Sequence, residues 1–300
     1  MTDMRTKVAS LHLDNPLMLA SGILDENGFT MKRILENGAA AVVTKSIGAE
    51  ERPGYPTPVI VEYGESLINA IGLSNPGIDN FSEEMKIVTK NGRTVIGSVF
   101  SSDADGFAML SRKMESYGAS AIELNLSCPH VKGFGMEVGS DPDLVKAIVE
   151  RVKSSVNIPV FAKLSPNTSN ILEIAEAAEK ADGYVLINTV KAMAIDIYSK
   201  TPVLSNNYGG LSGPAIKPVG IRYVYEVKKA TGKPIIGVGG ISTAEDAIEY
   251  IMAGSSAIQI GTAIFKKGIS IFNEIKSGIQ KFMEAEGYRN IEEMTGVAVK

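Results

Sequence analysis

Asn125-Leu126-Ser127-Cys128-Pro129-His130 contains the only cysteine in 300 residues. The run follows an apolar stretch, Ala121-Ile122-Glu123-Leu124, that reads as a strand. It precedes a glycine-bearing segment, 131–140, that reads as a mobile loop. A thiol at the C-terminal end of a strand, flanked by amide and hydroxyl side chains, is placed for acid/base or nucleophilic work. The competing reading is a buried, inert thiol, because free cysteine is among the most buried residue types. His130 reads as a loop residue before it reads as a second catalytic group.

Other polar residues recur where apolar runs end. Lys45 and Lys163 each close such a run, where lysine is rarely buried without a partner. The alternative for each is a stem lying along the protein with its ammonium snorkelling to the rim. Asn69, Asn125 and Asn188 with Thr189 form an amide-rich set. Amides suit imide-like ligand edges because each offers a donor and an acceptor, although turns are the commoner use of asparagine.

The elements that must carry these residues alternate. Strand-like runs fall at 17–20, 41–44, 94–99, 121–125, 159–163, 184–188, 234–237 and 257–260, and most precede a segment of helical period. In 142–154, for example, Leu144, Val145, Ile148, Val149 and Val152 share one face. Further helices are predicted at 170–180, at 243–253 with Thr243 or Ser242 as N-cap, and at 269–286. Eight such units in a chain of this length predict a (β/α)8 TIM barrel, as one domain over 1–300; a doubly wound sheet is the runner-up. The runs are nearly continuous in apolar residues, as expected of parallel strands covered on both faces. Segments 48–80 and 189–218 break the rhythm and read as insertions at the barrel's C-terminal face, and 7–13 reads as a hairpin closing the opposite end.

That frame gives the glycines a meaning. Gly239-Gly240 and Gly261-Thr262 follow the seventh and eighth strands, where barrels often hold phosphate on backbone N–H groups. Two ordinary turns are the plain alternative. Without a P-loop lysine motif, a phosphate there points to a mononucleotide cofactor. A fixed ammonium such as Lys45 or Lys163 would stabilise the charge that a reduced flavin gathers at its N1–C2 carbonyl edge.

Composition removes several classes. The net charge is −4 with a pI near 5.5 and no basic block, which argues against nucleic acid. One cysteine excludes an internal disulfide and a cysteine-ligated iron–sulfur cluster within this chain, and fits a reducing cytoplasm. The two histidines, His12 and His130, are far apart, so no metal-ligand spacing is present. No signal peptide is apparent, and no stretch approaches the roughly 18 apolar residues of a membrane span.

Taken together, Thr44-Lys45-Ser46, the run Asn69-Ala70-Ile71-Gly72-Leu73-Ser74-Asn75-Pro76-Gly77, Asn125-Leu126-Ser127-Cys128-Pro129, Ile187-Asn188-Thr189, Gly210-Leu211-Ser212-Gly213, Gly237-Val238-Gly239-Gly240 and Gly261-Thr262-Ala263 resemble the class 1 dihydroorotate dehydrogenases, most closely the type 1B catalytic subunit. The resemblance runs from about Leu13 to the last strand. It implies an FMN-containing barrel that oxidises (S)-dihydroorotate to orotate in pyrimidine synthesis. Cys128 would be the general base for the C5 proton, with hydride passing from C6 to flavin N5. Lys45 would meet both flavin and substrate. Asn69, Ala70, Ile71, Gly72, Leu73, Asn125, Asn188 and Thr189 would hold orotate. Ser21, Ser46, Asn125, Lys163, Ile187 and Gly213 would line the flavin, with Gly239, Gly240, Gly261 and Thr262 around its phosphate. The loop after Cys128 would act as a lid.

Type 1B relatives pair with a second subunit carrying FAD and a [2Fe–2S] cluster and pass electrons to NAD. The resemblance thus implies a homodimer core within a heterotetramer. Type 1A relatives instead act alone on fumarate. The chain departs from the family at Ser98, where an asparagine usually meets the flavin, and at His130, where asparagine commonly follows Cys-Pro. A dihydrouracil-type dehydrogenase sharing the Asn-x-Ser-Cys-Pro run is the rival enzyme, and a non-catalytic FMN-binding barrel is the rival of another class. Asn69–Leu73 favours orotate over dihydrouracil, and an intact Cys128 with both lysines argues against a scaffold.

Overall fold

The computed structural model describes residues 2–126 and 138–300. Its first strands, β1 (Thr6–Val8) and β2 (Leu11–Leu13), form an antiparallel hairpin. The chain then enters β3 (Leu17–Leu19), α1 (Gly28–Glu36) and β4 (Ala41–Val43). An insertion follows with β5 (Ile60–Tyr63) and β6 (Ser66–Asn69), then α2 (Ser82–Thr89), β7 (Thr94–Val99), α3 (Ala104–Ser116) and β8 (Ala121–Asn125). Next come α4 (Pro142–Lys153), β9 (Val160–Leu164), α5 (Ile171–Ala177) and β10 (Gly183–Leu186). A second insertion carries β11 (Val190–Ala192), β12 (Ile195–Asp196), β13 (Thr201–Pro202) and β14 (Gly209–Ser212). The chain ends with α6 (Lys217–Thr231), β15 (Ile235–Val238), α7 (Ala244–Met252), β16 (Ala257–Ile260), α8 (Ala263–Lys267), α9 (Ile271–Glu286) and α10 (Ile291–Met294).

Strands β3, β4, β7, β8, β9, β10, β15 and β16 close a parallel barrel, with β16 pairing back onto β3. All eight predicted strands are present and the TIM-barrel expectation holds. Local sequence explains the helices between them. Asp141 caps α4 by accepting from Asp143 N at 3.0 Å and Leu144 N at 3.1 Å, and Pro142 sits in the first turn, where its missing N–H costs nothing. The same helix buries Val145, Ile148, Val149 and Val152. Thr243 is the N-cap of α7 and forms a capping box with Asp246.

Period-two alternation sorts each barrel strand into two cores. Outward residues such as Leu17, Val42, Ile122 and Ile258 pack against the helices. Inward residues form a floor of Met18, Ala41, Val43, Ile96, Ala121, Phe161, Val185, Ile236 and Ala257, sealed by Val8, Leu11 and Leu13 of the hairpin. The expected hairpin thus closes the barrel bottom. Fully burying a side chain such as Phe161 contributes about 1.5–3 kcal/mol, and truncating it to alanine would cost about 3–5 kcal/mol.

The two insertions, which read in the sequence as separate irregular excursions, pair with one another. They form one antiparallel sheet in the order β11-β14-β6-β5. Asn69 faces Gly210 across it, and Asn69 Nδ2 donates to Gly210 O at 3.4 Å. Asn75 organises the remainder of the first insertion: its Oδ1 accepts from Gly48 N and Gly77 N at 3.2 and 3.0 Å, and its Nδ2 donates to Leu73 O at 2.8 Å.

Candidate active site

Two residues beyond the apolar floor, five of the eight inward positions are polar. Met18 is followed by Ala20, Val43 by Lys45, Ile96 by Ser98, Ala121 by Glu123, Phe161 by Lys163, Val185 by Ile187, Ile236 by Val238 and Ala257 by Gln259. This layer lies at the base of a cavity of about 330 Å³ at the C-terminal face, within the range of small-molecule sites. Ala20, Lys45, Lys163, Ile187, Val238 and Gln259 line the cavity.

The barrel supplies most of the remaining wall. Ser21 and Ser46 follow β3 and β4, Asn125 ends β8, and Asn188 and Thr189 follow β10. Gly239 and Gly240 follow β15, and Gly261 and Thr262 follow β16. The insertion sheet contributes Leu67, Asn69, Ser212 and Gly213, with Ile71, Gly72 and Leu73 from the loop after β6. Seventeen of the eighteen predicted site residues at described positions therefore meet at one cavity. The exception is Ala70, which is fully buried on the other face of its segment with Ile68 and Leu204. The step of one residue from Asn69 explains this, since successive side chains of extended backbone point to opposite faces. Cys128, His130 and the proposed lid up to residue 137 lie outside the described residues.

A hydrogen-bond network runs beneath the cavity. Asn125 Nδ2 donates to Ser46 Oγ at 3.0 Å, and Ser46 and Ser98 share a hydroxyl contact at 2.9 Å. Ser98 Oγ donates to Glu123 Oε1 at 3.3 Å, which lets Ser46 be the donor to Ser98. Lys163 Nζ lies 3.1 Å from Glu123 Oε1, and Gln259 Nε2 donates to Glu123 Oε2 at 2.9 Å. Glu123 is fully buried and the Lys163 side chain is 8% exposed, so removing one partner would cost about 3–5 kcal/mol. Ser98 is absorbed into this network and does not line the cavity.

Lys45, just after β4, is 13% exposed, with its ammonium 3.6 Å from Glu26 Oε1. Neighbouring Asp25 is buried, and its carboxylate accepts from Gly22 N. Burial pushes the Asp25 carboxyl up to about 6, against the opposing pull of Lys45 and of the Gly22 N–H, with Glu26 adding to the rise.

The glycine rim is held from behind. Tyr250 Oη, on α7, donates to Gly239 O at 2.7 Å. Asp246 accepts from Ser242 N at 2.9 Å and Thr243 N at 3.0 Å, and pairs with Lys217 Nζ at 2.7 Å. Gly240 has φ +73°, and a Cβ there would lie 2.7 Å from Gly213 O and 3.0 Å from Lys217 N, so the fold itself demands glycine. Gly261 differs: a Cβ would meet only Ala20 Cβ at 3.4 Å, an ordinary contact. Packing alone therefore leaves room for a methyl at 261 and does not require glycine there. A cleared backbone cradle, an ammonium and a carbonyl acceptor on the floor fit a phosphorylated, flavin-like cofactor.

Sequence reading missed Asp25, Glu26, Glu123, Gln259 and Ser212. Glu123 and Gln259 carried a usable signal, being lone polar residues inside apolar strands and sharing inward parity with Asn125 or the floor. Among the described residues, no cluster of three or more His, Cys, Asp or Glu could hold a metal, and no helix is long and apolar enough to cross a membrane.

A closed parallel barrel with its cavity at the C-terminal strand ends, glycine loops after the last two strands and an ammonium at the base defines a TIM-barrel enzyme. The dihydroorotate dehydrogenase profile matches residues 3–283, and the chain belongs to that family. It is 71% identical to the dihydroorotate dehydrogenase B (NAD(+)) catalytic subunit of Thermoplasma volcanium over 300 residues, the whole of both chains. The corresponding subunit of Thermoplasma acidophilum is 69% identical, again over all of both chains. That of Pyrococcus furiosus is 49% identical over 298 residues, 99% of each.

Proposed function

We propose that this chain oxidises dihydroorotate to orotate with FMN held in the cavity, and that a partner subunit carries the electrons on to NAD+. The observation that carries the reading is the meeting, in one cavity, of the Asn69 and Ile71–Leu73 wall, the Lys163 floor and the two glycine loops, in a chain matching NAD-linked catalytic subunits over their full length. When bound, FMN supplies the hydride acceptor. Gly239, Gly240, Gly261 and Thr262 hold its phosphate; Ser21, Ser46, Asn125, Lys163, Ile187 and Gly213 border the rest.

The substrate is a pyrimidine with a carboxylate and imide-like edges. Asn69, Asn125, Asn188 and Thr189 supply paired donors and acceptors for those edges. Lys45 supplies the cation that an anionic substrate needs, in a setting 13% exposed where charge is weakly screened. Cys128 takes the C5 proton as general base. The electron relay beyond this chain is assigned to a partner with FAD and a [2Fe–2S] cluster, since one cysteine cannot hold a cluster. The assembly would be a homodimer core within a heterotetramer, in the cytoplasm. Ile195, Ile197 and Tyr198, exposed by 60, 74 and 89%, support association through the second insertion.

The test is anaerobic mixing of the purified, FMN-loaded chain with dihydroorotate while flavin absorbance is followed. Bleaching by dihydroorotate supports the reading, and bleaching by dihydrouracil alone overturns it. Reoxidation by fumarate but not by NAD+ plus the partner would reassign the acceptor.

A further inference from the structure

Glu123 is fully buried, and three donors converge on it: Ser98 Oγ, Lys163 Nζ and Gln259 Nε2, at 3.3, 3.1 and 2.9 Å. Glu123 does not line the cavity, but Lys163 and Gln259 do. A carboxylate paired with an ammonium can only accept. Gln259 must therefore turn its NH2 toward Glu123. Its Oε1 is left buried with no hydrogen-bond partner among the described residues, although Gln259 is 1% exposed and borders the cavity. A buried carbonyl without a donor is costly, so a ligand N–H is the group this floor lacks.

Lys163 and Gln259 thus hang from one carboxylate as a cationic donor beside a neutral acceptor. The pyrimidine edge of an oxidised isoalloxazine offers the complement: the C2 carbonyl next to N3–H, the ring's one N–H. We propose that Glu123 is a positioning residue that holds Lys163 and Gln259 against that edge. By partly neutralising Lys163 it also sets how readily the flavin is reduced. Gln259 becomes a cofactor-binding residue. The inference rests on the FMN reading above.

The experiment measures FMN affinity and the flavin midpoint potential in the unmodified chain and its variants. Glu123→Gln removes a negative charge near the flavin, which favours the anionic reduced form. The reduced-to-oxidised ratio at a fixed potential should rise about tenfold, an upward shift of about 30 mV for a two-electron couple. Lys163→Met should shift it downward by a similar factor, and the Glu123→Leu/Lys163→Met double variant should return close to the unmodified value. The unmodified chain should prefer FMN to N3-methyl-FMN about tenfold, and Gln259→Leu should abolish that preference. A merely structural Glu123 would weaken cofactor retention without a signed shift in potential. Bound FMN whose potential is unmoved by Glu123→Gln, or a Gln259→Leu variant that keeps the preference, would overturn the inference. If Glu123→Gln does not fold, the double variant and Gln259→Leu decide it. No FMN binding by the unmodified chain would overturn the FMN reading, and this inference with it.

Discussion

Gly261→Ala separates what the fold requires from what a bound cofactor requires. The added methyl would touch only Ala20 Cβ at 3.4 Å, so the free protein should lose no more than about 0.5 kcal/mol, near 1–2 °C in Tm. A ligand filling the cradle would meet the methyl directly. Overpacking by one methyl costs about 1–3 kcal/mol, and each 1.4 kcal/mol is tenfold in affinity, so FMN should bind about five- to hundredfold more weakly. Gly240→Ala is the contrast. Its φ of +73° adds about 1–2 kcal/mol of backbone strain, and the clash with Gly213 O and Lys217 N falls on atoms that cannot swing aside. That variant should lose both Tm and FMN affinity. The assays are thermal unfolding without flavin and fluorescence titration with FMN. A Gly261→Ala variant that binds FMN as tightly as the unmodified chain would refute the phosphate cradle, and one that melts several degrees lower without flavin would refute the packing argument.

Cys128→Ala should slow flavin reduction by dihydroorotate by about 10²–10⁴-fold in anaerobic stopped flow while leaving FMN affinity unchanged; unimpaired reduction would remove the cysteine from the reaction. Tyr250→Phe takes a donor from Gly239 O at 2.7 Å and should cost about 1–3 kcal/mol of stability, with weaker FMN binding, read by denaturant unfolding and titration. Asp25 carries a pH signature. Burial holds its carboxyl near 6 in the folded state, above the ordinary value near 3.9 of the unfolded chain. The folded state therefore binds the extra proton between those values, and the Asp25 contribution to stability falls as pH rises through that window. Relative to the unmodified chain, Asp25→Asn should gain about 3 kcal/mol at most between about pH 4 and 6.5, and a difference that is flat with pH would contradict the assignment.

The barrel was legible because each strand is a short, mostly apolar run, β-branched in all but β3, and most are followed by a helical period, a pattern that survives without tertiary information. The rim was legible because polar residues end those runs. The insertion sheet was not. Its strands are three or four residues long, and β6 finds its partner in β14, with Asn69 and Gly210 separated by 141 positions, so no local period announces the pairing. Glu123 was read as part of an apolar run because Ala121, Ile122 and Leu124 surround it. Counting inward parity from Asn125 would have placed it on the axis, although its partners Lys163 and Gln259 come from strands that only closure brings near. Asp25 and Glu26 lie in a loop whose approach to Lys45 depends on the path after β3.

The pairing of Asn69 with Gly210 also imposes an order of assembly. The first insertion has no stable partner until the chain has been made past β14, and the barrel cannot close until Ile258 meets Leu17. Contacts this distant in sequence incur their loop-closure entropy before they return any stabilisation, so they form late. During synthesis the floor residues of the early strands can gather first, while Ile236 and Ala257 of the floor wait for β15 and β16, the insertion sheet for the second insertion and the glycine rim for the final strands. On the FMN reading, cofactor capture would wait until almost every residue of the cavity is in place, and a truncated chain should emerge colourless.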